Sequence, residues 1–307
     1  MIENISADTK RCLSRILTLT SQFSFYDGVY HTNIPFLSIL KENKSMPVAQ
    51  GVLAPSVCVV IQGNKVLQVG REAIEYGAGN YLASSINMPI KGQVLKATKE
   101  TPYVALQINF TSEEVASVAL EANVNINSYK SLSTGAFIGK TNIEALGVCE
   151  RLLRLSVDSQ AVAFLAPAAK RELIYRLLTG EEGDVFYSKM LLHQEAAGIN
   201  HVINWITAHF DSPFTISQLA DLGNMSVSNL HHKFKAVTTM TPLQYQKRIR
   251  LQEARRLLMG GTVDVTRTAS QVGYESSTQF IREYKRLFGL SPLRDVRAMR
   301  AAGGTEK

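Results

Sequence analysis

The last third of this chain carries one pattern twice. When Ser226 is set against Ser276, Leu230 meets Phe280, Phe234 meets Tyr284 and Lys235 meets Lys285. At the same offset of 50, Thr241 meets Ser291, Pro242 meets Pro292 and Leu243 meets Leu293. Upstream the offset is 49, with Ile216 against Val265 and Ala220 against Ala269. Apolar, basic and Pro positions recur together, as expected for two copies of one supersecondary unit. Each copy must then fold by the same local rules, and whatever lies between them must connect them.

Both copies read as helix-turn-helix. In the first, Thr215 suits a helix N-cap and Gln218 stands where a capping box needs it. Ala220 is small where two helices would cross, and Asn224, in the turn, tolerates a left-handed backbone. Ser226 then caps a second helix that buries Leu230 and Phe234. In the second copy Ala269 is the small residue, Gly273 makes the turn, Ser276 is the N-cap and Gln279 is its partner three residues on. One extra residue in that turn changes the offset. Between the copies, Pro242–Met259 (PLQYQKRIRLQEARRLLM) predicts one helix of about 27 Å. Such a rod could hold two recognition helices about 34 Å apart, one turn of B-DNA.

Charge points the same way. Residues 198–307 hold 15 Lys+Arg against 8 Asp+Glu, while residues 1–197 hold 18 of each. The whole net charge of +7 sits in the repeated part. A basic module carried by a neutral one suggests a polyanionic partner. On the second helix of each copy, the face opposite the buried residues offers Ser228, His231 and His232, then Ser277, Thr278 and Arg282. These are the candidate base contacts, with Arg282 able to pair bidentately with guanine. Lys233, Lys235, Lys285 and Arg286 are candidate phosphate contacts, and the helix N-termini at Ser226 and Ser276 could also hold phosphates. The alternatives are solvated surface residues for the His pair and a salt bridge to Glu275 or Glu283 for Arg282.

The first two-thirds reads differently. PSVCVVIQG, KVLQVG, YLASS, GQVLKA and YVALQINF are short β-prone runs between residues 29 and 110. The turn signals GNK, YGAGN, NMPIKG and TP separate them, suggesting a β-sandwich or barrel. Asp8–Thr20, Asn142–Ser156, Pro167–Thr179 and Ile199–Phe210 show helical spacing. Pro167 fits a first helical turn and Gly180 a C-terminal cap, and GEEGD at 180–184 reads as a hinge. The expected division is a β-rich domain with helices at 1–180, a linker at 181–197 and a basic double helix-turn-helix domain at 198–307.

No run of about 18 apolar residues suggests a membrane span, and the N-terminus lacks a secretory core, so a cytoplasmic protein is expected. Cys12, Cys58 and Cys149 are scattered, with no CxxC spacing, which argues against a disulfide framework or zinc site. Thiol sensing by any of the three stays open. Residues 1–190 contain one histidine, His31. A metal-dependent barrel enzyme needs two or three, so neither metal, cofactor nor catalytic residue is expected. Gln62, Tyr81 and Gln107 are polar residues that could face a barrel interior, but no ligand site follows from alternation alone.

Ala269, Val272, Gly273, Tyr274, Ser276, Phe280, Arg282, Tyr284, Lys285, Phe288, Gly289, Ser291 and Pro292 together resemble the C-terminal signature of AraC/XylS-type transcriptional regulators. Leu219–Lys235 resembles the first motif of the same domain. Two positions depart from the pattern: Thr239 replaces a common Gly, and Asp295 an aromatic residue. YGAGNYLASSINMPIKGQV, TPYVALQINF and LAPAAKRELIYRLLTG resemble the cupin-like sensory domain of one AraC subgroup. The resemblance implies an α+β chain: an N-terminal cupin-like β-barrel plus helices, then an all-α domain with two helix-turn-helix units. It further implies a bacterial, effector-responsive activator with double-stranded DNA, a small-molecule effector and RNA polymerase as partners, and helices for a homodimer. Two other readings stand beside it: a constitutive DNA binder with a structural barrel, and a DNA-repair methyl acceptor, which would need an activated thiolate.

Overall fold

The computed structural model describes residues 6–23, 27–45, 48–69, 72–124, 135–195, 197–261 and 264–303. The chain divides into two compact units, residues 1–48 with 53–195 and residues 196–307 with 49–52.

The first unit opens with helix α1 (Ala7–Thr20), capped by the Ser6 hydroxyl, which accepts from the Thr9 amide. Strands β1 (Gly28–His31), β2 (Leu37–Glu42), β3 (Ala49–Leu53, of which only Leu53 belongs to this unit), β4 (Ser56–Gln62) and β5 (Asn64–Val69) follow. Next come β6 (Glu72–Gly77), β7 (Asn80–Ser84), β8 (Met88–Leu95) and β9 (Tyr103–Asn109). Helix α2 (Ser112–Glu121), strand β10 (Ala136–Lys140) and helices α3 (Ile143–Leu155), α4 (Ser159–Leu178) and α5 (Gly183–Glu195) complete it.

One sheet runs β1-β2-β9-β4-β7-β10, and in the other β5 lies between β6 and β8; the pairings in both are antiparallel. Strand β4 is buried along Ser56–Ile61 because it has a strand on each side and cover on both faces. Val57, Val59, Ile61, Tyr81 and Ala83 turn to one face, where they join α1, α3, α4 and α5 in a single core. The other face carries Cys58 opposite Gln107 and Leu82, and looks toward the second sheet. This is the expected α+β layout.

Four expectations change here. Helix α4 starts at Ser159, where the Asp158 carboxylate caps the Gln160 and Ala161 amides, so Pro167 lies inside a 20-residue helix. Asp158 is a strong N-cap, and the packing of Ala166, Ala169 and Leu173 carries the helix through the proline. Residues 181–197 are not a bare linker: α5 occupies most of them and buries Phe186 and Met190 in the first core. GEEGD is not a hinge either, since Glu182 accepts the Lys140 backbone N–H at 2.9 Å and pins the loop to β10. Residues 88–92, read within a turn signal, begin β8.

The second unit is helical: α6 (Ala197–Ala208), α7 (Ile216–Leu222), α8 (Val227–Thr238), α9 (Pro242–Met259), α10 (Val265–Gln271), α11 (Ser277–Phe288) and α12 (Pro292–Gly303). The connecting helix α9 spans the residues read from sequence. Its N-terminus has Pro242 in the first turn and a capping box between Thr241 and Gln244. At the ends of α8 and α11 the duplication is uneven. Gly289 closes α11 with φ +82°, while Thr239 closes α8 with φ +63°. A β-branched residue in the left-handed region is strained, whereas glycine is not. Thr239→Gly is expected to stabilise the second unit by about 1 kcal/mol. Denaturation followed by the fluorescence of Trp205, the single tryptophan, on α6 within this unit, checks it; an unchanged or lower midpoint refutes it.

Candidate nucleic-acid interface

Each recognition helix is aimed by its turn. Thr215 and Gln218 form the reciprocal capping box at the start of α7, at 3.2 and 2.8 Å. Ala220 is buried at the crossing, and Asn224 takes φ +48°. Ser226 accepts the Asn229 amide at 3.3 Å and starts α8. In the second copy Ala269 is buried and Gly273 takes φ +81°. Glycine is doubly required there, because a Cβ would meet the Asp211 carbonyl oxygen at 2.1 Å. Ser276 caps α11 through the Gln279 amide. Gln279 does not return the bond; its side-chain amide donates to Glu283.

Side chains on a helix advance about 100° per residue. With Leu230 and Phe234 fully buried, Ser228, His231, His232 and Lys235 form one exposed stripe on α8. With Phe280 and Tyr284 fully buried, Thr278, Ile281, Arg282 and Lys285 form the matching stripe on α11. Arg282 makes no hydrogen bond or ion pair among the described residues, so neither Glu275 nor Glu283 engages it. Three expected contacts sit off the stripes. Ser277 is half-buried, Lys233 is half-buried on the flank of α8, and Arg286 lies on the flank of α11. Ile281, 39% exposed on the α11 stripe, escaped a reading that looked only for polar side chains; an apolar group there could meet a thymine methyl.

The stripes are held by interactions that the sequence pattern did not reveal. On α9, Arg250 donates from Nε to the Phe210 carbonyl at 2.6 Å, from Nη1 to the Gly273 carbonyl at 2.7 Å and from Nη2 to the Asp211 carbonyl at 3.0 Å. Gln246, one turn back, donates to the Phe210 and Ser212 carbonyls. Glu283 is buried and accepts from Lys247, the Tyr274 hydroxyl and Gln279. Burial pushes its carboxyl up, but the hydrogen bonds from Lys247, Tyr274 and Gln279 outweigh burial and hold it below the ordinary range. Asp295 is buried too, accepting both ends of the Arg255 guanidinium, at 2.8 and 2.9 Å, and the Tyr284 hydroxyl.

Two family models match. Residues 33–185 match the AraC-type transcriptional regulator N-terminus, and residues 219–298 match a helix-turn-helix domain. The chain belongs to the AraC family of transcriptional regulators. Among curated relatives it is similar to the HTH-type transcriptional activator RhaS of Escherichia fergusonii, 37% identical over 106 residues, which is 34% of this chain and 38% of RhaS. The chain thus spans under two-fifths of the length of the relatives it matches. Among solved structures it shares the fold of ToxT from Vibrio cholerae, with a TM-score of 0.57 at 10% identity, covering 85% of this chain and 97% of ToxT. A ToxT structure with unsaturated fatty acid bound gives a TM-score of 0.55 at 10% identity, covering 89% and 97%.

In the AraC-type N-terminal unit, the three polar residues singled out from sequence separate. Tyr81 is in the helix-side core, edge-on to Phe137 and Phe186. Gln62 donates to the Pro102 carbonyl. Gln107 lies on the face between the sheets, opposite Cys58. That face also holds Tyr76 and Tyr103, whose buried hydroxyls face one another, neither reaching a hydrogen-bond partner in normal geometry. Lys65 lies 5.8 Å over the Tyr103 ring. All three cysteines are free and buried. Burial pushes each thiol up, Cys149 to about 12, which disfavours the thiolate.

Two outcomes follow. Arg250→Lys keeps the charge but loses the fork, and is expected to cost the second unit roughly 2–4 kcal/mol in Trp205-monitored denaturation. A loss under about 0.5 kcal/mol would remove the clamp from this account. A depressed carboxyl such as Glu283 contributes stability that is complete above its unfolded value, about 4.3, and is lost as pH falls through the lower folded value. Glu283→Gln should therefore be less stable at pH 7 and show a flatter stability profile across that acid window than the parent. Parallel profiles would contradict it.

Proposed function

We propose that this chain is a sequence-specific DNA-binding regulator that activates transcription in response to a small molecule. The exposed Thr278–Arg282–Lys285 stripe carries the reading, because it is repeated on α8 and lies opposite a fully buried aromatic face. Each stripe enters one of two successive major-groove segments. Ser228, His231, His232, Thr278 and Arg282 read base edges, with Ser277 at the rim. Lys235, Lys285 and the helix N-termini at Ser226 and Ser276 hold phosphates. Lys233 and Arg286, read from sequence as phosphate contacts, lie off the stripes and are left out of that set.

The first unit is the sensor. The buried hydroxyls of Tyr76 and Tyr103 between the sheets support it, because they face only one another and outside normal hydrogen-bond geometry, so an effector bonded to them would recover free energy that their burial costs. The exposed apolar residues Phe164, Leu165 and Val157, near the start of α4, suit self-association into a homodimer. RNA polymerase is the further partner of an activator, and the cytoplasm its compartment. The burial of all three cysteines weighs against a DNA-repair methyl acceptor, which needs a reactive thiolate. A constitutive binder with a structural barrel leaves the two phenols unexplained.

Arg282→Ala is expected to weaken binding to the specific site by about 1–3 kcal/mol and to relax base preference at one position. Selection of bound sequences from a random pool, parent against variant, measures both. An unchanged preference would take Arg282 out of the readout.

A further inference from the structure

Between α9 and α11 lies a cleft that DNA reading does not use. Its volume is about 270 Å³, and its walls include Met240, Lys247, Arg248, Leu251, Glu283, Arg286 and Leu287. The α9 residues come from one face, since 247, 248 and 251 are neighbours on a helix. On α11 the lining residues 283, 286 and 287 sit on the flank, away from the Thr278–Arg282–Lys285 stripe. They lie about 8–14 Å along the axis from Thr278, toward the C-terminal end.

The cleft's charges do not balance. Lys247 is bonded to the Glu283 carboxylate at 2.9 Å. Arg286 is exposed at the rim. Arg248 is the unusual member: its Nε is buried without a hydrogen-bond partner, and no ion pair engages its guanidinium among the described residues. A half-buried cation with no counter-charge is expensive to hold unless something outside the chain supplies one. Met240, Leu251 and Leu287 provide apolar wall beside it.

We propose that this cleft binds a small organic carboxylate, with Arg248 taking the carboxylate as a fork, Arg286 closing over it and Met240, Leu251 and Leu287 holding its hydrocarbon part. A planar guanidinium matches a carboxylate bidentately. A DNA phosphate is a poor occupant, because Glu283, Arg286 and Leu287 lie on the flank of α11, off the Thr278–Arg282–Lys285 stripe that would follow the groove, whereas a small free anion can enter the cleft beside Arg248, with Glu283 already paired to Lys247. A bound carboxylate would bridge the connecting helix to the recognition helix of the second copy. The site is independent of the sensor assigned to the first unit, and the test separates them.

The test uses the full chain with hexanoate as probe and hexan-1-ol as its neutral counterpart, titrated by ligand-observed NMR at constant ionic strength. Hexanoate should bind saturably and hexan-1-ol should not. Arg248→Gln should weaken hexanoate at least tenfold, Arg286→Gln by a smaller factor, and Arg248→Lys less than Arg248→Gln. Arg282→Ala, on the DNA-facing stripe, should leave it unchanged. Arg286 is exposed, so its variant reports even where Arg248→Gln misfolds, which circular dichroism and Trp205 fluorescence would show. Absence of saturable binding overturns the proposal. So does hexanoate affinity unaffected by both Arg variants, which would place binding elsewhere in the chain. If Arg248→Gln leaves hexanoate alone and lowers the salt slope of DNA affinity by about one, Arg248 is a phosphate contact and the carboxylate site is wrong.

Discussion

The geometry of the second unit hangs on one guanidinium. Arg250 stands on the connecting helix α9 and donates to carbonyls at the end of α6 and in the turn of the second copy. The Phe210 carbonyl is shared with Gln246, and the part-buried Gly273 carbonyl is satisfied by Arg250, which matters because an unbonded buried backbone group is costly. The contact with Gly273 also explains why that position has no side chain. The turn presses so closely on Asp211 that a Cβ would sit inside its carbonyl. Burial pushes the Arg250 guanidinium down, and the clustered carbonyl oxygens are what make a charge tolerable there. A recognition helix is only as well aimed as its turn, and this turn is fixed from behind by a residue of another helix.

The duplication shows how one backbone plan accepts two chemistries. Phe234 of the first copy packs edge-on against Tyr245, with ring centroids 5.5 Å apart. The equivalent pair in the second copy is Tyr284 and Asp295, joined by a 2.8 Å hydrogen bond. The aromatic contact has been exchanged for a polar one, and the new hydroxyl and carboxylate satisfy each other with help from Arg255. Asp295 therefore departs from the family pattern without disturbing the fold. Thr239 is the opposite case, a β-branched residue held in a left-handed backbone that glycine adopts without strain.

Local chemistry made much of this legible. N-caps at Thr215, Ser226 and Ser276, the left-handed turns at Asn224 and Gly273, and all of α9 follow from residues within one or two turns of each other. What could not be read depends on distant partners. Arg250 looks like any exposed cation on a basic helix until the ends of two other elements are brought to it. Tyr81 alternates correctly for a barrel interior, but which face is inside depends on where the helices pack. Residues 181–197 are polar enough to resemble a linker, and only the burial of Phe186 and Met190 marks them as core. The pairing of Tyr76 with Tyr103 spans two sheets and left no trace in either strand.

Under the proposed reading, the two stripes also say what kind of DNA site to expect. Lys235 and Lys285 are equivalent, so sequence-independent phosphate contacts are repeated. Ser228 and Thr278 are near-equivalent hydroxyls. The remaining reading positions differ: His231 corresponds to Ile281, and His232 to Arg282. Imidazole and guanidinium prefer different base edges, and an aliphatic group prefers a thymine methyl. On that reading the chain would recognise two segments of similar shape but different sequence, a fixed distance apart. One polypeptide holding both readers on a single rigid helix then imposes polarity on the site. A symmetric dimer of identical readers could not do so.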